Sequence, residues 1–167
     1  MKKLLLVFVT FYSFSLFSQY SDRVLEIKKM YKETKSFDDK KNCETLRWEE
    51  IDENDGYERP LKRKVTGCIY PKSYTRISLS FEFLESWLDA EYYFKNDNLY
   101  FAYITDDSGS DKYKIRIYFK DDLEVEKVLF DDGQGNTKIN DKNMIEDVKK
   151  QYLKWLFIAE DELNAGG

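Results

Sequence analysis

Cys43 and Cys68 are the only thiols of the chain, and two thiols can form a disulfide, a redox centre or part of a metal site. The segment between them contains Asp55-Gly56, a dipeptide typical of a two-residue type I′ hairpin turn. With that turn, Cys43 lies directly opposite Cys68 at a pair where Cα atoms approach to about 4.5 Å, within the reach of a disulfide. Because CxxC spacing is absent and two thiolates do not complete a zinc site, the sequence predicts a structural disulfide.

The same hairpin register also brings like charges together. Arg47 lies opposite Lys64, and Glu53 lies opposite Glu58. Like-charged residues directly across a ladder destabilise it. This pattern favours a bulge or fraying in the hairpin.

Histidine is absent from the 167 residues, and the formal net charge is −5. The first fact excludes Ser-His-Asp and Cys-His nucleophile systems and His-ligated metals, and it removes the commonest general base near neutral pH. The second disfavours nucleic-acid binding, since an acidic chain without a basic stripe repels phosphate backbones. We therefore expect no cofactor and favour a non-enzymatic role.

Carboxylates are the remaining groups that could carry catalysis. Glu82, Asp89 and Glu91 could supply the pair that glycoside hydrolysis needs, about 5 to 10 Å apart across a cleft. Two further acidic stretches, "TDDSGSDK" and "FDDGQGNT", resemble calcium loops but lack the EF-hand pattern. We interpret both stretches as ordinary turns and expect no metal site.

A polar and aromatic surface is the main candidate binding site. Its members are placed on one face of the predicted sheet: Tyr74, Arg76, Tyr92, Lys114, Arg116 and Tyr118. Tyrosines on rigid strands give large contact area at low entropic cost, which suits a carbohydrate, peptide or protein ligand. The alternative is a solvated face on which β-propensity alone selects tyrosine.

Two amphipathic helices enclose the predicted strands. Ser21 or Asp22 can cap the first helix, over "DRVLEIKKMYKETK", whose apolar positions follow helical spacing. Those positions are Val24, Ile27, Met30 or Tyr31, and Thr34. The second helix lies in "NDKNMIEDVKKQYLKWLFIAEDELN", with Asn143 and Glu146 as a candidate capping box. Its apolar stripe contains Ile145, Val148, Tyr152, Trp155, Leu156, Ala159 and Leu163.

The second helix carries more apolar residues than one face needs. Leu153, Phe157 and Ile158 widen its stripe. Two explanations are open. The helix is buried on two sides, or it presents a second apolar strip to a partner.

Between the helices, the sequence alternates and then repeats. In "SYTRISLSFEF" the core-facing residues are Thr75, Ile77, Leu79, Phe81 and Phe83, and the opposite face carries Tyr74, Arg76, Ser78, Ser80 and Glu82. The phrases "EYYFKND" and "RIYFKDD" then repeat at an offset of 25 residues, Tyr93 to Tyr118. Each phrase predicts a strand that turns, at Asn96-Asp97 or Asp121-Asp122, into a return strand.

These elements predict one α+β domain over residues 19–167. We expect an antiparallel meander sheet of about six or seven strands with an N-terminal and a C-terminal amphipathic helix. Both helices are expected to cover one face or one edge of the sheet.

The order of these strands resembles a known pattern over residues 65–132. The segments "VTGCIY", "ISLSFEF", "EYYFKNDNLYFAY" and "RIYFKDDLEVEKVLF" are similar to a loose family of uncharacterised small exported bacterial proteins with repeated Tyr-Tyr-Phe-x-Asn-Gly-x-Leu hairpins. Cys68, Asp97 and Ile117 depart from its usual Tyr, Gly and Tyr. The resemblance implies export and a curved antiparallel sheet, with no known activity and no catalytic residue.

Residues 1–18 have the layout of a signal peptide. Two lysines precede an apolar run over 4–17, and small and polar residues follow. A membrane-spanning helix needs roughly 20 apolar residues, so we expect cleavage after Ser18 and no transmembrane anchor afterwards. We therefore expect an exported chain that is periplasmic or secreted.

The sequence favours a binding or interaction module of the cell envelope, for example an inhibitor, with a protein or carbohydrate partner. One alternative is a carboxylate-based hydrolase acting on envelope carbohydrate. The other is a structural domain that docks through its C-terminal helix. The ligand and the oligomeric state are left open by the sequence.

Overall fold

The computed structural model describes residues 21–52, 59–83, 86–108 and 111–165. The predicted signal peptide and the Asp55-Gly56 turn lie outside these residues.

Two helices and one eight-stranded sheet form the described part of the chain. Helix α1 (Asp22–Lys35) precedes the strands, and helix α2 (Lys142–Ala165) follows them. The strands are β1 (Asn42–Asp52), β2 (Arg59–Tyr70), β3 (Tyr74–Phe83), β4 (Ser86–Lys95), β5 (Asn98–Ser108), β6 (Asp111–Phe119), β7 (Val125–Asp131) and β8 (Asn136–Ile139). Short 3₁₀ turns lie at Asp38–Lys40, Pro71–Ser73 and Asp121–Leu123.

Each strand pairs antiparallel with the next one along the chain. This confirms the α+β class and the meander. The strand count is eight instead of six or seven, because the stretch interpreted as a turn after Phe130 continues into β8. That strand is four residues long and mostly exposed, so it carries no alternating apolar signal.

The β1–β2 ladder has the predicted register. Cys43 lies opposite Cys68, and the two form a disulfide with their Cα atoms 4.1 Å apart. Arg47 does lie opposite Lys64, but the described ladder runs from Asn42 to Asp52 without a register shift. The described pairs therefore contain no bulge, and the Glu53–Glu58 pair lies outside the described residues.

Helix α1 begins and packs as its periodicity predicts. The Ser21 side chain accepts a hydrogen bond from the Val24 backbone N–H and caps the helix. Four residues on one side of the helix are buried: Val24, Ile27, Met30 and Thr34.

The two helices cover opposite faces of the sheet, which corrects the expectation that they share one face or edge. Helix α1 packs on a cluster that includes Tyr93 and Tyr118. Helix α2 packs on a cluster that includes Tyr92 and Ile117. Consecutive residues of the same strand are thus buried on opposite faces of the sheet. A sheet that is apolar on both faces needs a covering layer on each.

The repeated phrases form equivalent hairpins. Asn96 and Asp97 have φ of 49° and 62°, as a type I′ turn requires, which confirms the first predicted turn. The second turn, at Asp121–Leu123, is a longer 3₁₀ turn. In both hairpins the register shifts within the Tyr-Phe pair, between residues 93 and 94 and between residues 118 and 119. Both copies of the repeat therefore contain a bulge at the same place.

The extra residue of each bulge contacts one end of α1. Tyr100, the extra residue of β5, makes a 2.9 Å hydrogen bond between its hydroxyl and that of Thr34 in the last helical turn. Glu126, the extra residue of β7, interacts with the Ser21 side chain, and this interaction is the main cause that lowers the pKa of Glu126. The duplicated hairpins thus hold both ends of α1.

Helix α2 begins two residues earlier than the predicted capping box. Asp141 Oδ1 accepts a 2.9 Å hydrogen bond from the Met144 backbone N–H, so Asp141 is the cap and Asn143 lies inside the helix. The Trp155 ring packs on Phe81 at a centroid distance of 4.7 Å. The buried residues of the helix are Tyr152, Leu153, Leu156 and Ala159. No helix in the described ranges combines the length and apolarity needed to cross a bilayer.

The packing of α2 predicts unequal effects for two neighbouring residues. Leu156→Ala should lower the free energy of unfolding by about 3 kcal/mol, because Leu156 is buried between α2 and the sheet. Phe157→Ala should change it by less than about 0.5 kcal/mol, because Phe157 is 52% exposed. Urea denaturation of both variants measures the difference. Equal losses would contradict this packing.

Candidate functional site

The α1 face of the sheet is apolar beneath the helix and polar beyond it. On β3 this face carries the buried Tyr74, followed by Arg76, Ser78 and Ser80. On β4 this face carries the buried Tyr93. Towards the N-terminal end of β4, the side chains on this face become acidic. Helix α1 covers the aromatic end, so the polar end is open.

A groove of about 350 Å³ lies in this open part. We call it the central groove. Its polar lining comes from strands β2 to β5: Lys64, Thr66, Ser78, Ser80, Asp89, Glu91, Tyr103 and Thr105. Cross-strand pairing sets their positions, since Ser80 lies opposite Asp89 and Asp89 lies opposite Thr105.

Four of these side chains make no hydrogen bond or ion pair with other residues that the structure describes: Lys64, Ser80, Asp89 and Thr105. They offer an ammonium donor, a carboxylate acceptor and two hydroxyls that can donate and accept. Lys64 and Asp89 are exposed. The central groove therefore presents both signs of charge and both hydrogen-bonding roles to a ligand.

Glu91 closes the end of the groove beside α1. Its carboxylate accepts a 2.7 Å hydrogen bond from the Tyr93 hydroxyl and a 3.4 Å bond from Arg76 Nη1. Lys35 Nζ, from the last turn of α1, lies 3.7 Å from the same carboxylate. Burial, followed by the charge of Glu91, raises the pKa of the Tyr93 hydroxyl. This network keeps Tyr93 protonated and engages Glu91 before any ligand arrives.

Two more grooves continue the central one. The helix groove, about 350 Å³, lies along α1 and is lined by Ile27, Lys28, Tyr31, Phe101, Tyr103, Arg116 and Tyr118. The Trp87 groove, about 270 Å³, includes Trp87, Thr105, Asp107, Lys112, Lys114 and Asp131. The central groove shares Tyr103 with the first and Thr105 with the second.

Three of the six residues predicted for the binding surface lie in or beside the grooves of this face. Arg76 borders Glu91, Lys114 lines the Trp87 groove, and Arg116 lines the helix groove with its guanidinium carbon 5.6 Å from the Tyr103 ring centroid. Tyr74 and Tyr118 are on the same face of the sheet but are buried in the cluster under α1, where Tyr118 also lines the helix groove.

Tyr92 lies on the opposite face, which corrects its assignment to the binding surface. It is fully buried, pairs with Ile77, and donates a 2.6 Å hydrogen bond to the Tyr152 carbonyl of α2. Tyr93 lies opposite Arg76 instead. The alternation set by Leu88 and Ala90 places the even-numbered β4 residues together on one face, and the structure shows that α2 covers that face.

The sequence prediction missed Trp87, Tyr103, Thr105 and Lys64. The same alternation places Trp87, Asp89 and Glu91 together on the other face of β4. Pairing across strands then adds Tyr103 and Thr105. A signal for these residues was therefore present, but it required the strand pairing.

The three candidate carboxylates do lie on this face, but they differ in the contacts that they make with other side chains. Glu82 is exposed and its Oε1 lies 3.8 Å from Lys62 Nζ. Glu91 is engaged by Arg76, Lys35 and Tyr93, as described above. Asp89 alone of the three makes no such contact in the described part of the chain.

The acidic stretch after Phe130 forms local turns. Asp131 Oδ1 accepts a 3.0 Å hydrogen bond from the Gly133 N–H, and Asp132 Oδ1 accepts one from the Gln134 N–H. Such bonds are typical of Asx turns. The earlier stretch includes residues 109 and 110, which lie outside the described residues. Among those described, no group of three or more metal-ligating side chains is found.

Comparisons of this chain with profiles of known protein families, with curated proteins and with solved structures give no match. The resemblance to exported hairpin proteins therefore stays a prediction, and the candidate site rests on its own geometry.

Proposed function

We propose that the protein is an exported, non-enzymatic binding protein of the cell envelope that holds a polar ligand in the central groove. The observation that carries this proposal is the set of unengaged side chains in that groove: Lys64, Ser80, Asp89 and Thr105. Concave sites with a few convergent polar groups are the usual form of a ligand-binding site.

The strands that carry these groups are rigid. Strands β2 to β5 lie inside the sheet with neighbours on both edges. Their opposite face is packed against α2, where Val65, Leu79 and Ala90 are buried. The backbone that carries these groups therefore loses little conformational entropy when a ligand binds.

The structure supports the two alternatives less well. Hydrolysis by a carboxylate pair needs two carboxyl groups that flank a bound sugar, whereas the contacts of Glu91 are with Tyr93 and Lys35. Docking through α2 needs a continuous apolar strip. Its exposed large apolar residues, Met144 and Phe157, are 54% and 52% exposed but lie 13 positions apart, about 20 Å along the helix.

Export is supported by two features. The layout of residues 1–18 favours a signal peptide. The Cys43–Cys68 disulfide is the kind of bond that forms and persists outside the cytoplasm.

A groove-filling substitution tests the proposal. Ser80→Trp places an indole in the central groove, and Met144→Trp places the same side chain on α2, on the other side of the sheet. Each protein is purified from the envelope fraction of its host and examined by native mass spectrometry. We expect a ligand mass on the wild type and on Met144→Trp, with occupancy about tenfold lower on Ser80→Trp.

Circular dichroism and thermal unfolding of the three proteins provide the control for folding. Equal ligand retention by folded Ser80→Trp and by the wild type would show that the ligand lies elsewhere. Absence of any ligand from all three proteins would also overturn the proposal.

A further inference from the structure

The three grooves of the α1 face form one continuous path, because Tyr103 is shared by two of them and Thr105 by two. Along β4 the path runs from Glu91 to Trp87, four residues or about 13 Å at the usual rise of a strand. The helix groove extends it further, past Tyr103 to Tyr31. A path of this length fits a chain molecule better than a single small ring.

Aromatic rings lie towards the two ends of the path, with hydroxyl and charged groups between them. Trp87 is 38% exposed, so part of its indole is open to a ligand. Tyr31 and Tyr103 line the other end. Sugar rings have an apolar C–H face that packs on aromatic rings and a rim of hydroxyls that both donate and accept hydrogen bonds.

The charges along the path are largely balanced. In the Trp87 groove Lys112 pairs with Asp107, and Asp131 lies opposite Lys114 across the β6–β7 ladder. The same Asp131 carboxylate lies 3.9 Å from Arg116, which lines the helix groove together with Lys28. In the central groove the unengaged Lys64 and Asp89 contribute one charge of each sign. A polyanion would meet carboxylates along this path, and a polycation would meet ammonium groups. Charge complementarity therefore favours an uncharged chain.

A peptide strand fits this surface less well. Peptides that extend a sheet bind at an edge, where backbone N–H and C=O groups are free. The path crosses strands β2 to β7, and each of these strands pairs with a neighbour on both sides. Its recognition groups are side chains, as binding of a glycan requires.

Resting on the proposed binding function, we infer that the ligand is an extended, uncharged glycan, which lies in the central groove and stacks a terminal sugar on Trp87. The central groove supplies hydrogen bonds to the sugar hydroxyls. The Trp87 groove supplies a stacking platform that only a longer chain reaches.

Calorimetric titration with uncharged oligosaccharides tests this inference. The probes are N-acetylglucosamine, xylose and glucose oligomers, each β-1,4-linked and taken from the disaccharide to the hexasaccharide. For at least one series we expect affinity to rise with length and then reach a plateau. Trp87→Ala should weaken the longest oligomers about tenfold and leave the shortest unchanged. Phe157→Ala, which removes an exposed ring from α2, should change neither.

The other outcomes show whether the glycan inference or the proposed binding function is wrong. Lack of binding in every series, affinity independent of length, or an equal effect of folded Trp87→Ala on short and long oligomers overturns the glycan inference. If dextran sulfate binds more tightly than any neutral oligomer, the inference that the glycan is uncharged is wrong. If an envelope ligand sensitive to Ser80→Trp is nevertheless retained, the proposed binding function stands. If Ser80→Trp has no effect on retention, the proposed function itself falls.

Discussion

Raising the pH from about 9 to about 11 is expected to destabilise the fold steeply, because buried tyrosines cannot ionise without exposure. Burial raises the pKa of Tyr92, Tyr93 and Tyr100 above the ordinary tyrosine value, and the charge of Glu91 adds to the effect at Tyr93. In the unfolded chain these hydroxyls titrate near pH 10. Above that pH the unfolded state releases protons that the folded state keeps, so stability falls as the pH rises.

The stabilising contribution of the raised pKa values is fully present below about pH 10. Above that pH, each buried tyrosine should lower the free energy of unfolding by about 1.4 kcal/mol per pH unit. Three such tyrosines should together lower it by about 4 kcal/mol per unit. Urea denaturation at a series of pH values measures the slope, and tyrosinate absorbance reports ionisation.

Tyr93→Phe provides the control for this prediction. It removes one ionisable hydroxyl and its 2.7 Å hydrogen bond to Glu91, so stability at neutral pH falls modestly. The alkaline slope should become shallower by the contribution of one tyrosine. A free energy of unfolding that stays constant to about pH 11, or an unchanged slope in the variant, would contradict the assigned burial.

Reduction of the Cys43–Cys68 disulfide is expected to lower the free energy of unfolding by about 3.5 kcal/mol, because the bond closes a loop with a sequence separation of 25 residues. The bond restricts the unfolded chain, and reduction restores that freedom. Cys68 is buried beside the aromatic cluster under α1, so replacing it also changes packing. Reduced wild-type protein is therefore the cleaner probe of the cross-link.

Guanidinium denaturation of the oxidised and reduced wild-type protein measures this effect directly. The double variant Cys43→Ala/Cys68→Ala should be less stable than the reduced wild type, since it also loses the buried Cys68 sulfur. The same comparison with blocked thiols controls for reoxidation. Coincident transitions of the oxidised and reduced proteins would show that the bond adds no stability.

The reach of the sequence prediction is clearest in the hairpins. The β1–β2 register and its disulfide followed from one turn dipeptide and the positions of two cysteines. The Asn96-Asp97 turn followed from residues that tolerate positive φ. The apolar side of α1 followed from helical spacing. All of these features join residues that are close along the chain, where local stereochemistry leaves few options.

The repeat shows the limit of that reasoning. Its strands and turns were predictable, but the bulges were not. A bulge at Tyr100 or Glu126 has no local signature, and its stabilising contacts are with Thr34 and Ser21, far away along the chain. The positions of the helices were also not predictable, because a strand that is apolar on both faces does not specify which helix covers which face.

The sequence by itself determined the α+β meander, the disulfide hairpin and the absence of histidine chemistry. Only the tertiary structure decided that Tyr92 is buried under α2 while Trp87, Asp89 and Thr105 share an open path. The physical reason is that strand periodicity assigns a residue to one of two faces but does not say which face is covered. That choice depends on where α1 ends on the sheet, and thus on contacts between residues remote in sequence.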